Sequence, residues 1–248
     1  MLLRARHFPD SVVHGFTTRE GGVSVGRYAS MNLGNRWGDE PEAVAENLRR
    51  LARAAEFRPE QLVRVTQVHG DTILAAHEVD ANSQADAIWR HHEHPGEHVV
   101  GVMTADCVPL LLVDRQARVC AAVHSGWRGT VAGIAAKTVA LLVERAGIAP
   151  GDLLAAIGPC IELDAFEVGP EVAEEFDPAF VLRRPDRKPH VDLVAAVRAQ
   201  LEQAGVPGQQ IERVGGCTHA NPDSYFSYRR EGAGQGQHLA FIGLPASG

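Results

Sequence analysis

The chain has 248 residues and a formal net charge of −7, with 45% hydrophobic and 22% charged residues. This composition is ordinary for a globular protein, and the length suits one large domain or two small ones. The acidic balance argues against a nucleic-acid partner, because nucleic-acid phosphates require a basic face. No apolar stretch reaches about 18 residues, which argues against a membrane-spanning helix.

The first predicted elements lie before residue 60. Residues 12–18 alternate between apolar and polar positions and predict a strand that leads into a glycine-rich loop carrying Arg19. Residues 41–55 predict a helix, since apolar side chains recur at helical spacing and Pro41 stands in the first turn with acidic residues.

The middle of the chain is rich in predicted strands. These strands cover residues 63–69, 72–75, 85–89, 99–103, 108–113 and 118–123. One strand ends at His69, another is followed by Cys107, and the last is followed by His124. The histidine-rich segment 91–98 is interpreted as a solvated loop, although its composition would also suit metal ligands.

The remaining elements follow His124. Helices are predicted at residues 132–143, 170–175 and 191–204, and strands at 155–160, 211–217 and 238–244. Strands outnumber helices and seldom alternate strictly with them. The pattern therefore predicts an α+β (mixed α/β) fold, with a mixed β-sheet core and flanking helices, in a single domain over residues 1–248.

The four cysteines show no CxxC spacing, and no apolar signal segment precedes them. A chain of this size does not require disulfides, so we expect a reduced protein in the cytoplasm. Cys120 lies inside an apolar stretch and is interpreted as a core residue. Cys160 and Cys217 are also assigned structural roles, although their positions at strand ends leave a pocket-facing role open.

Three polar strand ends predict one site formed by His69, Cys107 and His124. One thiolate and two imidazoles suit a cation such as zinc, and three protein ligands leave a fourth tetrahedral position for water or substrate. The spacings, 38 and then 17 residues, are those of neither a zinc finger nor an H-E-x-x-H helix.

A reaction without metal is equally compatible with these residues. Cys107 could act as a thiolate nucleophile, with one of the two histidines as its base. Asp106 or Asn221 could then orient that base. The sequence pattern leaves the two chemistries open.

Several arginines are candidates for binding an anion. Arg128 stands at the predicted start of a helix, where free backbone N–H groups favour an anion, although an exposed ion pair is the alternative. Arg19, and Arg229 or Arg230 beside Tyr228, are weaker candidates of the same kind.

Long motifs in the chain resemble one known family. They are QVHG at residues 67–70, TADCVPLLL at 104–112, HSGWRGT at 124–130 and IGPCI at 157–161, with further matches at 15–24, 217–218 and 225–230. Together they cover almost the whole chain and resemble the YfiH-like, or laccase-domain, proteins. The resemblance implies a fold of the cysteine-hydrolase type.

The resemblance also implies a function. It implies a purine nucleoside phosphorylase that converts adenosine, inosine, guanosine or methylthioadenosine and phosphate to the free base and ribose 1-phosphate or its methylthio analogue. It further implies an adenosine deaminase side activity. The expected partners are a nucleoside and phosphate, with no nucleic acid and no membrane, and a monomer is expected.

Site residues carry over from the same family. The metal ligands fall on His69, Cys107 and His124, which are also the implied catalytic residues, and Zn²⁺ is the implied metal with copper as an alternative. The residues themselves, and not the resemblance, are the basis for assigning substrate and phosphate binding to Arg128, Arg19, Tyr228 and Arg229.

Other functions stay open at this point. A cysteine hydrolase or amidase that edits peptidoglycan precursors would use Cys107 and His124 without metal or phosphate. A polyphenol oxidase is disfavoured, because one set of three ligands offers no array for several coppers. A binding protein with a structural metal would require a fourth protein ligand.

Overall fold

The computed structural model describes residues 2–35 and 37–245, and within them thirteen strands and six α-helices. The strands are β1 (Leu2–Leu3), β2 (Val13–Thr17), β3 (Leu62–Val63), β4 (Ile73–Ala75), β5 (Ala87–His91), β6 (Val99–Thr104), β7 (Val108–Asp114), β8 (Val119–Ser125), β9 (Leu153–Ile157), β10 (Val181–Leu182), β11 (His190–Val191), β12 (Ile211–Arg213) and β13 (His238–Gly243). The helices are α1 (Pro41–Ala55), α2 (Trp127–Val131), α3 (Ile134–Ala146), α4 (Pro170–Ala173), α5 (Leu193–Gln203) and α6 (Tyr228–Glu231).

Two mixed sheets form the centre of the fold. One has the strand order β1-β2-β13-β6-β3, and the other has the order β12-β9-β7-β8-β5-β4. The β3–β6, β4–β5 and β9–β12 pairs are parallel, whereas the other pairs in these two sheets are antiparallel. The predicted mixed β-sheet core with flanking helices is confirmed. The cysteine-hydrolase label and the single-domain boundary stay predictions.

The sheets pack face to face, with helices on both outer faces. Side chains such as Val102 and Leu111 fill the space between the sheets. The far face of the six-stranded sheet packs on α3 and α5, and the far face of the five-stranded sheet packs on α1. Because both faces of β7 and β8 are covered, every residue of these strands is buried, and they are apolar along almost their whole length.

Helix α1 has the bounds that the sequence predicts. Pro41 occupies its first turn, where a missing N–H costs nothing, and Glu56, the residue that follows the helix, adopts a left-handed conformation with φ +61°. Leu51 and Ala55 pack on the sheet beside Phe241.

Three predicted elements near the site are wrong in their bounds. The strand predicted over residues 63–69 ends at Val63, so His69 lies on a loop. His124 lies inside β8 and does not follow it. The helix predicted over 132–143 begins at Ile134 and extends to Ala146, because Gly133, with a left-handed φ of +79°, separates it from α2.

The helices of residues 2–35 and 37–245 include none with the length and hydrophobicity that a transmembrane span requires.

Candidate metal centre

The fold brings His69, Cys107 and His124 together at one end of the two sheets. Their ligating atoms, one imidazole nitrogen from each histidine and the cysteine sulfur, all lie within 4.8 Å of one another. The two imidazole rings meet edge to face, with centroids 4.8 Å apart. Cys107 lies in the short connection between β6 and β7, so each residue comes from a different segment.

Asp86 orients the ring of His124. It lies immediately before β5, and the antiparallel pairing of Ala87 with Val123 places it beside His124. The His124 Nδ1–H group donates to Asp86 Oδ1 at 2.8 Å, and both side chains are buried. This bond leaves Nε2 as the ring nitrogen that faces Cys107.

The same carboxylate holds the loop that carries His69. The backbone N–H groups of Val68, His69 and Gly70 donate to Asp86 at 3.3, 3.0 and 2.7 Å. His69 has a φ of +61°, which a non-glycine residue adopts at an energetic cost. Three hydrogen bonds to one buried carboxylate stabilise that conformation.

A second buried carboxylate braces the backbone next to Cys107. Asp106 has a φ of +96° and accepts hydrogen bonds from Thr218 Oγ1 at 2.5 Å, Ser227 Oγ at 3.0 Å and the Arg229 backbone N–H at 2.6 Å. Asp106 therefore ties Cys107 to the segment 217–230. It does not orient an imidazole, contrary to the metal-free scheme drawn from the sequence.

Asn221, the other candidate for that orienting role, donates through Nδ2 to the Cys217 carbonyl oxygen. The orienting carboxylate is Asp86, which sequence reasoning missed. Its only signal is a carboxylate at the start of a strand, and nothing in the pattern says which strand pairs beside it.

Two glycines allow the close packing around the centre. A Cβ atom built on Gly126 would lie 3.1 Å from His69 Cδ2, 3.2 Å from Cys107 Sγ and 3.6 Å from His124 Cε1. A Cβ atom on Gly129 would lie 2.8 Å from the Gly70 carbonyl oxygen. The start of α2 therefore approaches the ligands at backbone distance, which explains the small residues in this motif.

The electrostatics favour a thiolate. Burial raises the pKa of Cys107, but the charge and hydrogen bond of His124, together with a hydrogen bond to His69, lower it to about 6. Burial lowers the pKa of His124, but the Cys107 charge and the Asp86 hydrogen bond raise it to about 9. The thiolate is the form of cysteine that binds metals and attacks electrophiles.

The donor set fits a metal ion. One thiolate and two imidazoles, with the second histidine nitrogen held by a carboxylate, are the ligands and the outer support found at zinc and copper sites. The chemistry of the donors indicates a metal site, and zinc as its occupant stays a prediction. Among residues 2–35 and 37–245 this is the one such cluster of three.

The candidate anion-binding residues lie in different settings. Arg128 is exposed, and its guanidinium lies 4.3 Å from the ring centroid of its neighbour Trp127. Tyr228 is 53% exposed at the start of α6, and the exposed Arg229 lies over the Phe166 ring at 5.5 Å. Their roles in binding stay predictions.

Arg19 has structural partners. Its Nε group donates to the Ala29 carbonyl oxygen at 2.9 Å, and Nη1 donates to the Pro222 carbonyl oxygen at 2.8 Å. It also pairs with Glu231 and lies 4.6 Å from the Phe226 ring centroid. These contacts tie its loop to the segment 222–231, and phosphate binding by Arg19 stays a prediction.

The other cysteines and the histidine-rich segment lie apart from the cluster. Cys120, Cys160 and Cys217 are buried, and the last two lie opposite each other in an isolated bridge. His94 packs against Trp89 and against His77, a neighbour that the sequence pattern did not indicate.

The fold and the cluster define a class: a two-sheet α/β protein with a histidine–cysteine–histidine centre. Comparisons with known proteins identify its family. The family described as multi-copper polyphenol oxidoreductase laccase matches residues 13–245. A purine nucleoside phosphorylase from Deinococcus radiodurans is 42% identical over 252 residues, which cover 98% of this chain and 93% of that protein. The purine nucleoside phosphorylase YfiH of Escherichia coli is 38% identical, and the match covers 95% of each chain.

Solved structures show the same fold. YlmD from Geobacillus stearothermophilus superposes with a TM-score of 0.87 at 33% identity, covering 97% of this chain and 94% of that one. The Neisseria meningitidis protein NMB0706 superposes with a TM-score of 0.86 at 33% identity, covering 99% of both chains. The chain belongs to the laccase-domain, YfiH-like family, which confirms the family inferred from the sequence motifs.

Proposed function

We propose that this chain is a metal-dependent purine nucleoside phosphorylase acting on adenosine, inosine, guanosine and methylthioadenosine. The observation that carries the proposal is the convergence of His69, Cys107 and His124 in a chain whose relatives, at 37–42% identity, are named purine nucleoside phosphorylases. This chain covers 91–95% of those relatives, so the comparison concerns whole proteins.

The three converging side chains would hold the ion. Cys107 would bind as a thiolate and His124 through Nε2, while His69 would supply its own ring nitrogen. When bound, the ion would supply a Lewis acid. Asp86 keeps the proton on His124 Nδ1 and so keeps Nε2 free to act as a ligand.

Arg128 is the proposed phosphate-binding residue. Its guanidinium forms no ion pair with any carboxylate in the described part of the chain, and it lies two residues beyond Gly126, where an added Cβ atom would touch all three ligands. A guanidinium binds phosphate through two parallel hydrogen bonds. Tyr228 offers an exposed ring for stacking on the purine, and its neighbour Arg229 is anchored to Asp106 beside Cys107.

The proposed reaction is a displacement at the sugar. A phosphate oxygen forms a bond to C1′ of the ribose while the C1′–N9 bond breaks and its electron pair leaves with the purine. The proton of hydrogen phosphate is transferred to the departing purine, which leaves as the neutral base. Positive charge develops on the sugar, as in glycosidic cleavage generally, and the nearby phosphate stabilises it.

The test is phosphorolysis of inosine by the purified protein. With phosphate we expect hypoxanthine and ribose 1-phosphate in equal amounts, and without phosphate neither product. Cys107→Ala should abolish the reaction, whereas Cys120→Ala, at a buried cysteine within β8, serves as the matched control. Turnover at the wild-type rate by the Cys107 variant would refute the assignment.

The proposal includes deamination of adenosine as a second activity of the same centre. Water would replace phosphate as the attacking group, at the purine ring. In a phosphate-free incubation with adenosine, inosine and ammonia should accumulate. If adenosine stays unchanged in that incubation, while phosphorolysis proceeds normally in a parallel incubation with phosphate, the second activity is absent.

A cysteine hydrolase is a second candidate, because Cys107, His124 and Asp86 also form a Cys–His–Asp arrangement. Such an enzyme would need neither phosphate nor metal. A second imidazole, that of His69, on the same thiolate favours the metal-dependent proposal. Release of a carboxylic acid from an amide substrate by chelator-treated protein would favour the hydrolase.

A further inference from the structure

A cavity of about 260 Å³ lies between helix α1 and the five-stranded sheet. Its walls are largely apolar and include Val44 and Leu48 of α1, Leu62 of β3 and Leu239 of β13. Asn35 and Arg64 are the polar residues of its lining. None of these residues belongs to the metal centre, so the cavity is a separate feature of the fold.

Arg64 has an unusual setting for a cation. Its Nη1 group donates to the Leu33 carbonyl oxygen at 3.1 Å and contacts the Met103 sulfur at 3.6 Å. Both partners are uncharged, and no carboxylate of residues 2–35 or 37–245 forms an ion pair with the guanidinium. Burial lowers the pKa of Arg64, which agrees with a partly desolvated cation that has no counter-charge.

The remaining donors of Arg64 define what would fit. Nη1 is occupied, whereas Nε and Nη2 donate to no described residue. These two groups form the edge of the guanidinium that binds a carboxylate through two parallel hydrogen bonds. An apolar chamber with one such polar group is the usual composition of a small-molecule site.

The volume limits the size of the occupant. A cavity of ~150 Å³ accommodates benzene, so by proportion the 260 Å³ cavity accommodates about ten non-hydrogen atoms. An apolar wall excludes sugars and other highly hydroxylated molecules, whose polar groups would be left without partners. A nucleoside is therefore a poor match in both size and polarity.

We propose that this cavity is a second ligand site, which binds a small monocarboxylate with a compact hydrocarbon or aromatic body. The carboxylate pairs with Arg64, and the hydrocarbon body packs among the side chains of α1 and the sheet. The site does not depend on the phosphorylase proposal, because its ligand, its cation and its walls are different.

Phenylacetate, which has ten non-hydrogen atoms, is the probe, and phenylacetamide is its neutral match in shape. Isothermal titration should show one phenylacetate site per chain and about tenfold weaker binding of the amide, because the amide lacks the charge-assisted pair. Adenosine should not compete. Equal binding of the two probes, competition by adenosine, or no binding of phenylacetate would each overturn the proposal.

Two pairs of variants assign the binding to the cavity. Arg64→Gln should weaken phenylacetate binding about tenfold or more, whereas Arg53→Gln, the same charge change at an exposed position of α1, should leave it unchanged. Ala45 lines the cavity and is itself exposed, so Ala45→Leu should narrow the cavity and weaken binding about tenfold, whereas Ala54→Leu, at an exposed position of α1 outside the lining, should leave binding unchanged.

The Ala45 pair keeps the proposal testable if Arg64→Gln does not fold, because leucine is a favourable helix residue. Metal content and inosine phosphorolysis should stay at wild-type levels in Ala45→Leu. Wild-type affinity in Ala45→Leu, or an equal loss of affinity in Ala54→Leu, would show that phenylacetate binds elsewhere.

Discussion

Replacing Asp86 by Asn tests the central support of the metal centre. Each carboxylate oxygen of Asp86 accepts two hydrogen bonds: Oδ1 from His124 Nδ1 and the His69 amide, and Oδ2 from the Gly70 and Val68 amides. In the Asn variant one oxygen becomes an NH₂ group. In either orientation of the introduced amide, two of the N–H groups that donate to Asp86 would then face the NH₂ group and lose their acceptor.

The magnitude follows from these bonds. Hydrogen bonds to a buried carboxylate contribute about 1.5–3 kcal/mol each, so the loss of two predicts about 3 kcal/mol or more in the free energy of unfolding of the metal-free protein. Loss of the carboxylate behind a ligating histidine lowers metal affinity by about 10- to 100-fold. Because Asp86 also holds the loop that carries His69, we expect a loss of zinc affinity closer to 100-fold than to 10-fold.

Competition with a chromophoric chelator would measure zinc affinity, and urea unfolding of the metal-free protein would measure stability. Asp114→Asn is the matched control, because Asp114 is also buried and accepts from the Arg118 and Val119 amides at 2.6 and 3.0 Å, at the β7–β8 turn. It should lose stability and keep zinc affinity. Wild-type affinity in Asp86→Asn, or an equal loss of affinity in Asp114→Asn, would refute the reasoning.

Three further predictions follow from single residues. Gly126→Ala should weaken zinc binding, because the new Cβ atom would crowd the ligand side chains, and should change the free energy of unfolding little, because the Gly126 φ of −71° suits alanine. Gly151→Ala, whose new Cβ atom would meet open space, should change neither zinc affinity nor stability. Iodoacetamide should alkylate Cys107 of the metal-free protein with a midpoint near pH 6, whereas Cys120, whose pKa burial raises to about 12, should not react in the folded state. Burial lowers the pKa of His238 to about 3, so its imidazole stays neutral in the folded chain while the unfolded chain gains a proton below pH 6.5. The stability contributed by neutral His238 is therefore fully present above pH 6.5 and is lost as the pH drops toward 3, with a loss of roughly 3 kcal/mol by pH 4.5. His238→Gln should remove that part of the acid loss in urea unfolding.

Each of these predictions has a contrary result. Wild-type zinc affinity in Gly126→Ala would mean that the ligand side chains can move away from the new Cβ atom without weakening metal binding. A Cys107 alkylation midpoint above pH 8 would mean that the histidines do not stabilise the thiolate. An acid sensitivity of His238→Gln equal to that of the wild type between pH 7.5 and 4.5 would assign the loss to other groups.

Local patterns in the sequence determined much of the fold. Helix α1 was predictable because its apolar spacing and Pro41 act within a few turns of chain. Strands β6, β7 and β8 were predictable because burial on both faces leaves continuous apolar stretches. The triad of His69, Cys107 and His124 was indicated because polar residues with metal-binding chemistry interrupt such stretches.

What only the tertiary structure decided depends on contacts between distant segments. Asp86 lies 38 residues from His124, and only the register of β5 on β8 brings the two together. The left-handed conformations of His69 and Asp106 are stabilised by carboxylate contacts that no local pattern shows. The cavity beside Arg64 is lined by residues of α1, β3 and β13, which are distant in the chain, so only their packing creates it.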